Sequence, residues 1–333
     1  MKFLALACAL LLEQAWPLRR GNPLYAAFDR YADYLERQFN GLQANHGVIA
    51  WLIAVLPLAL LTVAVHALLR EANVLLAMAW SVAVLYVAMG FRRFSHCFTE
   101  IAQALRAAKQ VPLGGAARCA TSPLGGKQVP LGGDQNINTA RDVLGRWRGV
   151  PADELQAAEI SRVAIELGLV QAHRYVLGPI FWFVIIGPVG PVIYRVAELL
   201  AARWGKLIDP EKSAFAFFAE RAFFWIDWLP ARVTAASFAI AGNFEDAAYC
   251  WRAQAAGWGR GAEGVVLASG AGALGVKLGG VLREEGMLNQ RPELGIGDEV
   301  DVEDLRGAVG LIWRALVLWL FLLLIVAVAG ALG

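Results

Sequence analysis

Apolar positions run through this chain in long blocks separated by short polar stretches, and the blocks set the first expectation. GVIAWLIAVLPLALLTVAVHALL (47–69), ANVLLAMAWSVAVLYVAMGF (72–91) and LIWRALVLWLFLLLIVAVAGAL (311–332) stand out. Each reaches the roughly twenty residues that a helix needs to cross a bilayer core. A fourth block, YVLGPIFWFVIIGPVGPVIYRV (175–196), carries Pro179, Pro188 and Pro191. It predicts a kinked or re-entrant helix, because proline removes a backbone donor and crowds the preceding turn. The opening FLALACALLLEQAWPL follows Lys2 and runs into a pair of arginines, with no small-residue cleavage site at its end. It predicts an uncleaved first membrane helix rather than a secretory signal. The pattern as a whole predicts an all-α, polytopic integral membrane bundle of roughly five or six segments.

The polar positions divide the chain. Residues 1–91 read as N-terminal membrane helices, 92–174 as a cytoplasmic helical region, and 175–333 as C-terminal membrane helices with a polar-site region. The middle region holds an insert over 109–133, in which KQVPLGG occurs at 109–115 and again at 127–133 with SPLGG at 122–126. So few Gly- and Pro-rich copies cannot stack into a solenoid, and they predict a flexible loop between two helices. The helix after it, in GVPADELQAAEISRVAIELGLVQAHRY, places Leu155, Val163, Leu167 and Val170 at helical spacing, with a cap expected near Asp153. Arg19, Arg20, Arg30 and Arg37 follow the first segment and Arg92 and Arg93 open the middle region, whereas Arg70 and Glu71 alone join the second and third. By the positive-inside rule both basic stretches face the cytoplasm and the N-terminus faces the other side.

Composition supports the membrane class, since 58% of the 333 residues are hydrophobic and 17% charged, against about 25% charged in soluble domains. A formal net charge of +2 gives no field for nucleic acid, which is not expected as a partner; the lipid bilayer is. Cys8, Cys97, Cys119 and Cys250 lack the spacing of a zinc site or disulfide framework. His46, His66, His96 and His173 are isolated from one another, so no metal site is expected. GAGALG (270–275) fits a dinucleotide-binding glycine pattern, but no βαβ unit surrounds it, and small residues in apolar sequence mark close helix packing. Lys127 follows two glycines without the rest of a phosphate-binding loop.

One stretch stands apart. FFWIDWLPARVTAASFAIAGNFEDAAYCW (223–251) is greasy, yet it carries Asp227 and Arg232 either side of Pro230, then Glu245 and Asp246. Charges at membrane depth must face protein, water or the interface. Pro230 is expected to break the helix and turn Asp227 and Arg232 toward a common cavity, with Arg232 either pairing with Asp227 or binding an anionic group.

Taken in order, FTEIAQALRA, ARDVLGRWRG, AEISRVAIE, GPIFWFVIIGPVGPVIYRV, LPARVTA and SGAGALGVKLGG resemble blocks of the CobD/CbiB family of cobalamin-biosynthesis membrane proteins. They are also similar to AmpE, a related membrane protein linked to β-lactamase induction. The first resemblance implies adenosylcobinamide-phosphate synthase chemistry, an ATP-dependent amide bond between adenosylcobyric acid and aminopropanol or its phosphate, with Mg²⁺. A corrinoid substrate is then the implied partner, or, on the AmpE-like alternative, a signalling partner protein. The family pattern following the glutamate matched by Glu166 is approximately E-t-v-A-E-N-t-x-D-G, whereas ELGLVQAHRY puts Val170, Gln171, Arg174 and Tyr175 at its E, N, D and G positions. An Asp–Asp pair expected before the PAR block is replaced by Phe223 and Phe224, and its Asn by Asp227. Exchanging acids for arginine and valine removes hard oxygen ligands, so ATP and Mg²⁺ are implied only if synthase activity is retained. Arg174, Asp227, Arg232, Glu245, Asp246 and Lys277 are expected to line one polar cavity near the cytoplasmic face. Glu166, Gln171 and Asn243 complete the expected ligand-binding set, with no catalytic residue assigned. A transporter fits the proline-broken helices but lacks the paired half-sequence repeat many transporters show.

Overall fold

The computed structural model describes residues 2–16, 23–39, 44–110, 132–205, 210–259, 261–284 and 286–332. Most of the repeat-bearing insert, and Cys119 within it, lies outside them. The chain runs α1 (Lys2–Ala15), α2 (Pro23–Phe39), α3 (Ala44–Ala72), α4 (Val74–Ala88), α5 (Phe91–Gln110), α6 (Gly132–Arg148) and α7 (Ala157–Ala172). It continues through α8 (Gly178–Ile186), α9 (Val189–Trp204), α10 (Pro210–Ala241), α11 (Phe244–Gln254) and α12 (Ala262–Leu274). Strands β1 (Val276–Glu284), β2 (Met287–Leu294) and β3 (Asp298–Glu299) precede the terminal α13 (Asp304–Leu332). The protein is thus an α-helical membrane protein with one small sheet.

Three helical runs among the described residues, rather than five or six, are long and apolar enough to cross a membrane: 46–72, 157–186 and 304–330. The block expected as a span over 72–91 forms the shorter α4, about 22 Å long at helical rise, which falls short of a bilayer core of about 30 Å. The expected boundary at 174/175 falls inside the run 157–186, which is continuous from α7 into α8. Gly187, at φ +75°, then turns the chain, and Pro188 and Pro191 sit at the start of α9, where a missing N–H costs little. The proline-rich block is therefore a tight turn between two helices. The start of α7 also differs from expectation: its cap is Gln156, whose N–H donates to Glu159 at 2.8 Å, and Asp153 lies before it.

Packing centres on α12. Its residues 264–273 are all buried, and it lies against α7, α10, α11 and α13. The glycines of GAGALG explain the closeness. A Cβ on Gly270 would stand 2.7 Å from Leu169 of α7, and one on Gly272 would stand 2.5 Å from the Asp246 carbonyl oxygen of α11. This is the small-residue contact that brings helix backbones together, and no βαβ unit is present among the described residues. Strand β1 pairs antiparallel with β2 and parallel with β3. The apolar pattern predicts no strands; β1 is bulged between Gly279 and Val281, with glycines where alternation would have been legible.

A second, smaller core joins α2, α3, α9 and α10 around Leu35, Leu200, Trp204 and Phe215. At its edge Arg203 grips Asp33 with two hydrogen bonds of 2.5 and 2.6 Å. The bond from Arg203 is the main influence holding the Asp33 carboxyl below its ordinary value of 3.8.

Two outcomes are expected. Gly272→Val drives side-chain atoms into the α11 backbone and should lower stability by about 1–3 kcal/mol, read from thermal unfolding in detergent. The Asp33–Arg203 tie should contribute fully above the ordinary carboxyl value and fade as pH falls through the lower folded value. Protection of α2 amides from hydrogen exchange, taken relative to the intrinsic rate at each pH, should therefore fall at acid pH in the parent protein, while Asp33→Asn should show the lower protection at every pH.

Candidate functional site

The polar centre forms where α7 passes into α8. The junction is a single π-helical turn, His173–Leu177, closed by the Gly178 N–H bonding the His173 carbonyl five residues back. Such a turn inserts one residue into the helical repeat and rotates the facing of every later residue in the rod; π turns recur at functional sites. Here it sends neighbouring residues to different partners. His173 turns to α10, where its Nε2 lies 2.8 Å from Asp227 Oδ1 and its Nδ1 lies 2.9 Å from Thr234 Oγ1. Asp227 and Thr234 are seven residues apart, two turns along one helical face, which is why one imidazole reaches both.

Tyr194 of α9 donates its hydroxyl to the same Asp227 Oδ1 at 2.7 Å. All four side chains are buried, Asp227 and His173 at 2% exposure and Thr234 and Tyr194 at 0%. An ionised Asp227 only accepts, so His173 donates from Nε2, and in the neutral imidazole Nδ1 accepts the Thr234 hydroxyl proton. Asp227 Oδ2 takes no hydrogen bond among the described residues, and Asp227 lines a cavity of about 810 Å³.

That cavity lies among the π turn, α9, α10 and the start of α12. Arg174 faces it and donates from Nη2 to Glu263 Oε1 at 2.7 Å. Glu263 occupies the first turn of α12, where the helix dipole favours an anion. The chain enters that turn through Gly261, at φ +46°, whose absent Cβ leaves room for the Phe224 ring. Glu198 and Glu220 also line the space, with Arg221 beside them, so acids outnumber the two arginines of the lining. Behind it the buried Arg195 donates to Glu198 at 2.7 Å and sits 4.4 Å from the Tyr175 ring centroid. Apolar walls come from Phe223, Phe224 and Trp225.

Only part of the expected set meets here. Arg174 and Asp227 share the cavity, but Arg232 does not join them. Pro230 sits inside an unbroken α10, so Arg232 stays on its own helix, with its guanidinium carbon 3.8 Å from the Trp228 ring centroid and Nη1 donating to the Trp228 carbonyl. Asp227 is balanced by His173 instead. Asn243 and Asp246 serve α11: Asn243 caps it, accepting from the Asp246 N–H at 3.3 Å and donating to its carboxylate at 2.6 Å. Glu245 is exposed in the same first turn, and Lys277 is exposed on β1 opposite Glu299. None of these four lines the cavity.

Glu166 and Gln171 are tied to neighbouring elements. Glu166 accepts two bonds from Arg291, at 2.7 and 3.2 Å, and one from the Gly279 N–H at 2.8 Å, anchoring the hairpin to α7. Gln171 accepts the Trp147 indole N–H at 2.9 Å, tying α6 to α7. His173, Tyr194, Glu198 and Glu263 were not singled out as site residues from sequence. The one signal for them was ionisable or polar character inside apolar helices.

Substitutions should separate the buried network from the surface group. His173→Phe removes a hydrogen bond to a buried carboxylate and should cost about 1.5–3 kcal/mol. Arg232→Ala forfeits a cation–π contact and should cost no more than about 1 kcal/mol. Unfolding midpoints in one detergent check the order.

Comparison with known proteins gives a consistent answer. A family described as CobD/Cbib protein matches residues 125–312. A relative from Stutzerimonas stutzeri, named cobalamin biosynthesis protein CobD, is 33% identical over 329 residues, covering 97% of each chain. Relatives of the same name are 37% identical over 193 residues in Chromobacterium violaceum, covering 58% of this chain and 62% of that one, and 30% identical over 211 residues in Mycobacterium tuberculosis, covering 60% and 67%. No solved structure matches significantly.

Proposed function

Because the chain belongs to the CobD/CbiB family, we propose that this membrane protein of cobalamin biosynthesis binds the amine partner of an amide-forming step in the cavity at Asp227. The reading is adenosylcobinamide-phosphate synthase-like, with the chain crossing the bacterial inner membrane more than once. The observation that carries it is the asymmetric Asp227 carboxylate. His173 and Tyr194 both hold Oδ1, and Oδ2 remains for a ligand in a cavity whose carboxylates outnumber its arginines. A compact ammonium group, three donors and no acceptor, suits that lining.

The residues divide the work. Asp227 accepts from the ammonium and then takes the proton that must leave before the nitrogen can attack a carbonyl carbon. His173 and Tyr194 fix the carboxylate in place and stabilise its charge; Asp227 sets the His173 tautomer, and the Thr234 hydroxyl answers the other ring nitrogen. Arg174, held by Glu263, offers a planar cation at the cavity wall for a carboxylate or phosphate on the second substrate. Phe223, Phe224 and Trp225 supply apolar walls for the rest of the substrate.

The resemblance also implies ATP with Mg²⁺. Among the described residues no three His, Cys, Asp or Glu side chains stand together so as to hold a metal ion. Arg174 and His173 already occupy oxygens of Glu263 and Asp227. A protein-held Mg²⁺ does not fit this lining, and the exchange of the family's acids at Val170, Arg174, Phe223 and Phe224 runs the same way. The proposed role of these side chains is therefore amine binding and proton transfer, with no metal placed on them.

Complementation of a strain lacking the amide synthase tests the reading. The parent chain should restore corrinoid conversion, Asp227→Asn and Glu263→Gln should each lower it roughly tenfold or more, the loss expected from removing one charge-assisted contact, and Arg232→Ala should match the parent. Calorimetry on purified protein should show aminopropanol binding that Asp227→Asn abolishes. No conversion after verified expression, with altered β-lactamase induction on deletion instead, would replace this reading with the AmpE-like one.

A further inference from the structure

A second cavity, of about 610 Å³, opens between α1, the α3–α4 junction and the α8–α9 turn. Its chemistry is the opposite of the first. Lys2, His66 and Arg70 line it, and no acidic side chain does among the described residues. Lys2 Nζ donates one bond to the Val184 carbonyl at 2.7 Å, which fixes the ammonium at the cavity wall with two further protons to give. Arg70 is exposed and forms no ion pair among the described residues. Two cations, Lys2 and Arg70, and the His66 ring thus share one space with no acid among its described lining, an arrangement that suits an acceptor rich in oxygen.

The surroundings say where that acceptor comes from. His66 and Arg70 belong to the last turns of the apolar run 46–72, so the cavity lies at the level where a membrane span meets water. Leu68, Leu75, Ile185 and Ile186 beside it are all more than 40% exposed. In water that apolar rim would be unfavourable, whereas beside acyl chains it is at home. A free anion would satisfy the donors and leave the rim unmatched; a lipid satisfies both.

We propose that this cavity is a binding site for the phosphodiester headgroup of an anionic membrane lipid, with Lys2, His66 and Arg70 as donors and the exposed residues of α3, α4 and α8 against its acyl chains. The site is separate from the Asp227 cavity, shares no lining residue with it, and holds or fails independently of the amide-forming role.

The full chain, stripped of lipid in detergent, is titrated with phosphatidylglycerol and with phosphatidylcholine, and bound lipid is counted by native mass spectrometry. Phosphatidylglycerol should bind roughly tenfold or more tightly than phosphatidylcholine, the scale of one charge-assisted contact. Arg70→Gln should erase most of that preference and Arg70→Lys should keep it. Should Arg70→Gln fail size-exclusion checks, Lys2→Gln carries the same expectation. Equal binding of the two lipids, or an unchanged preference in the folded Gln variants, overturns the proposal. So does inorganic phosphate that displaces the lipid at equal concentration, which would assign the site to a free anion.

Discussion

A carboxylate sealed among apolar helices is costly unless each of its charges is answered locally, and Asp227 imposes that condition on three helices at once. The answer comes from His173 at the end of α7 and Tyr194 on α9, while Asp227 itself sits on α10. None of the three helices can slide or rotate by a residue without leaving a buried polar group unmatched, which costs more than a well-made contact returns. Thr234 extends the constraint a further turn along α10. The network therefore fixes the relative height of α7, α9 and α10, and the cavity beside it inherits its shape from that fixed arrangement.

Around this centre two other devices position the walls. Small residues on α12 allow its backbone to lie close to α7 and α11, which brings the N-terminal turn of α12, and Glu263 with it, within reach of Arg174. On the far side of α7, Glu166 receives Arg291 and the Gly279 N–H, so the hairpin is held by a buried two-pronged ion pair. One helix thus carries a polar group for the sheet at one end and one for the membrane bundle at the other. Removing either partner of such a pair would leave an uncompensated charge in an apolar setting.

Much of this was legible in the chain and some was not, for identifiable reasons. The apolar runs at 47–69 and 311–332 declared their helices because their apolar length outweighs the single Pro57 and the single Arg314 within them, and the glycines of 270–275 declared close packing because no βαβ pattern surrounded them. Val163 declared a buried face by spacing and is buried, whereas Leu167 and Val170 are half-buried and Leu155, though buried, lies before α7. Pro230 misled, since a proline in a long helix bounded by packed neighbours is tolerated where its effect on an isolated helix would be larger. Asp227 read as a group needing a partner, and it has one, but spacing pointed to Arg232 five residues on rather than to His173 fifty-four residues back. Tertiary pairing of that kind leaves no local trace. The strands were hidden by their glycines and by a bulge that breaks alternation.

The π turn at 173–177 has a bearing on how this helix tolerates change in length. An α-helix repeats its facing every 3.6 residues, whereas the π turn absorbs one residue more before the repeat resumes. The two halves of the rod from 157 to 186 are thus out of phase by one residue, each in register with its own neighbours. A chain shorter by one residue at this point could close the turn as ordinary α-helix with every backbone bond intact. It would then swing one half of the rod by about a quarter-turn against the other. The surplus residue works as a phase marker, and the pairing of His173 inward with Arg174 toward the cavity exists only while it is there.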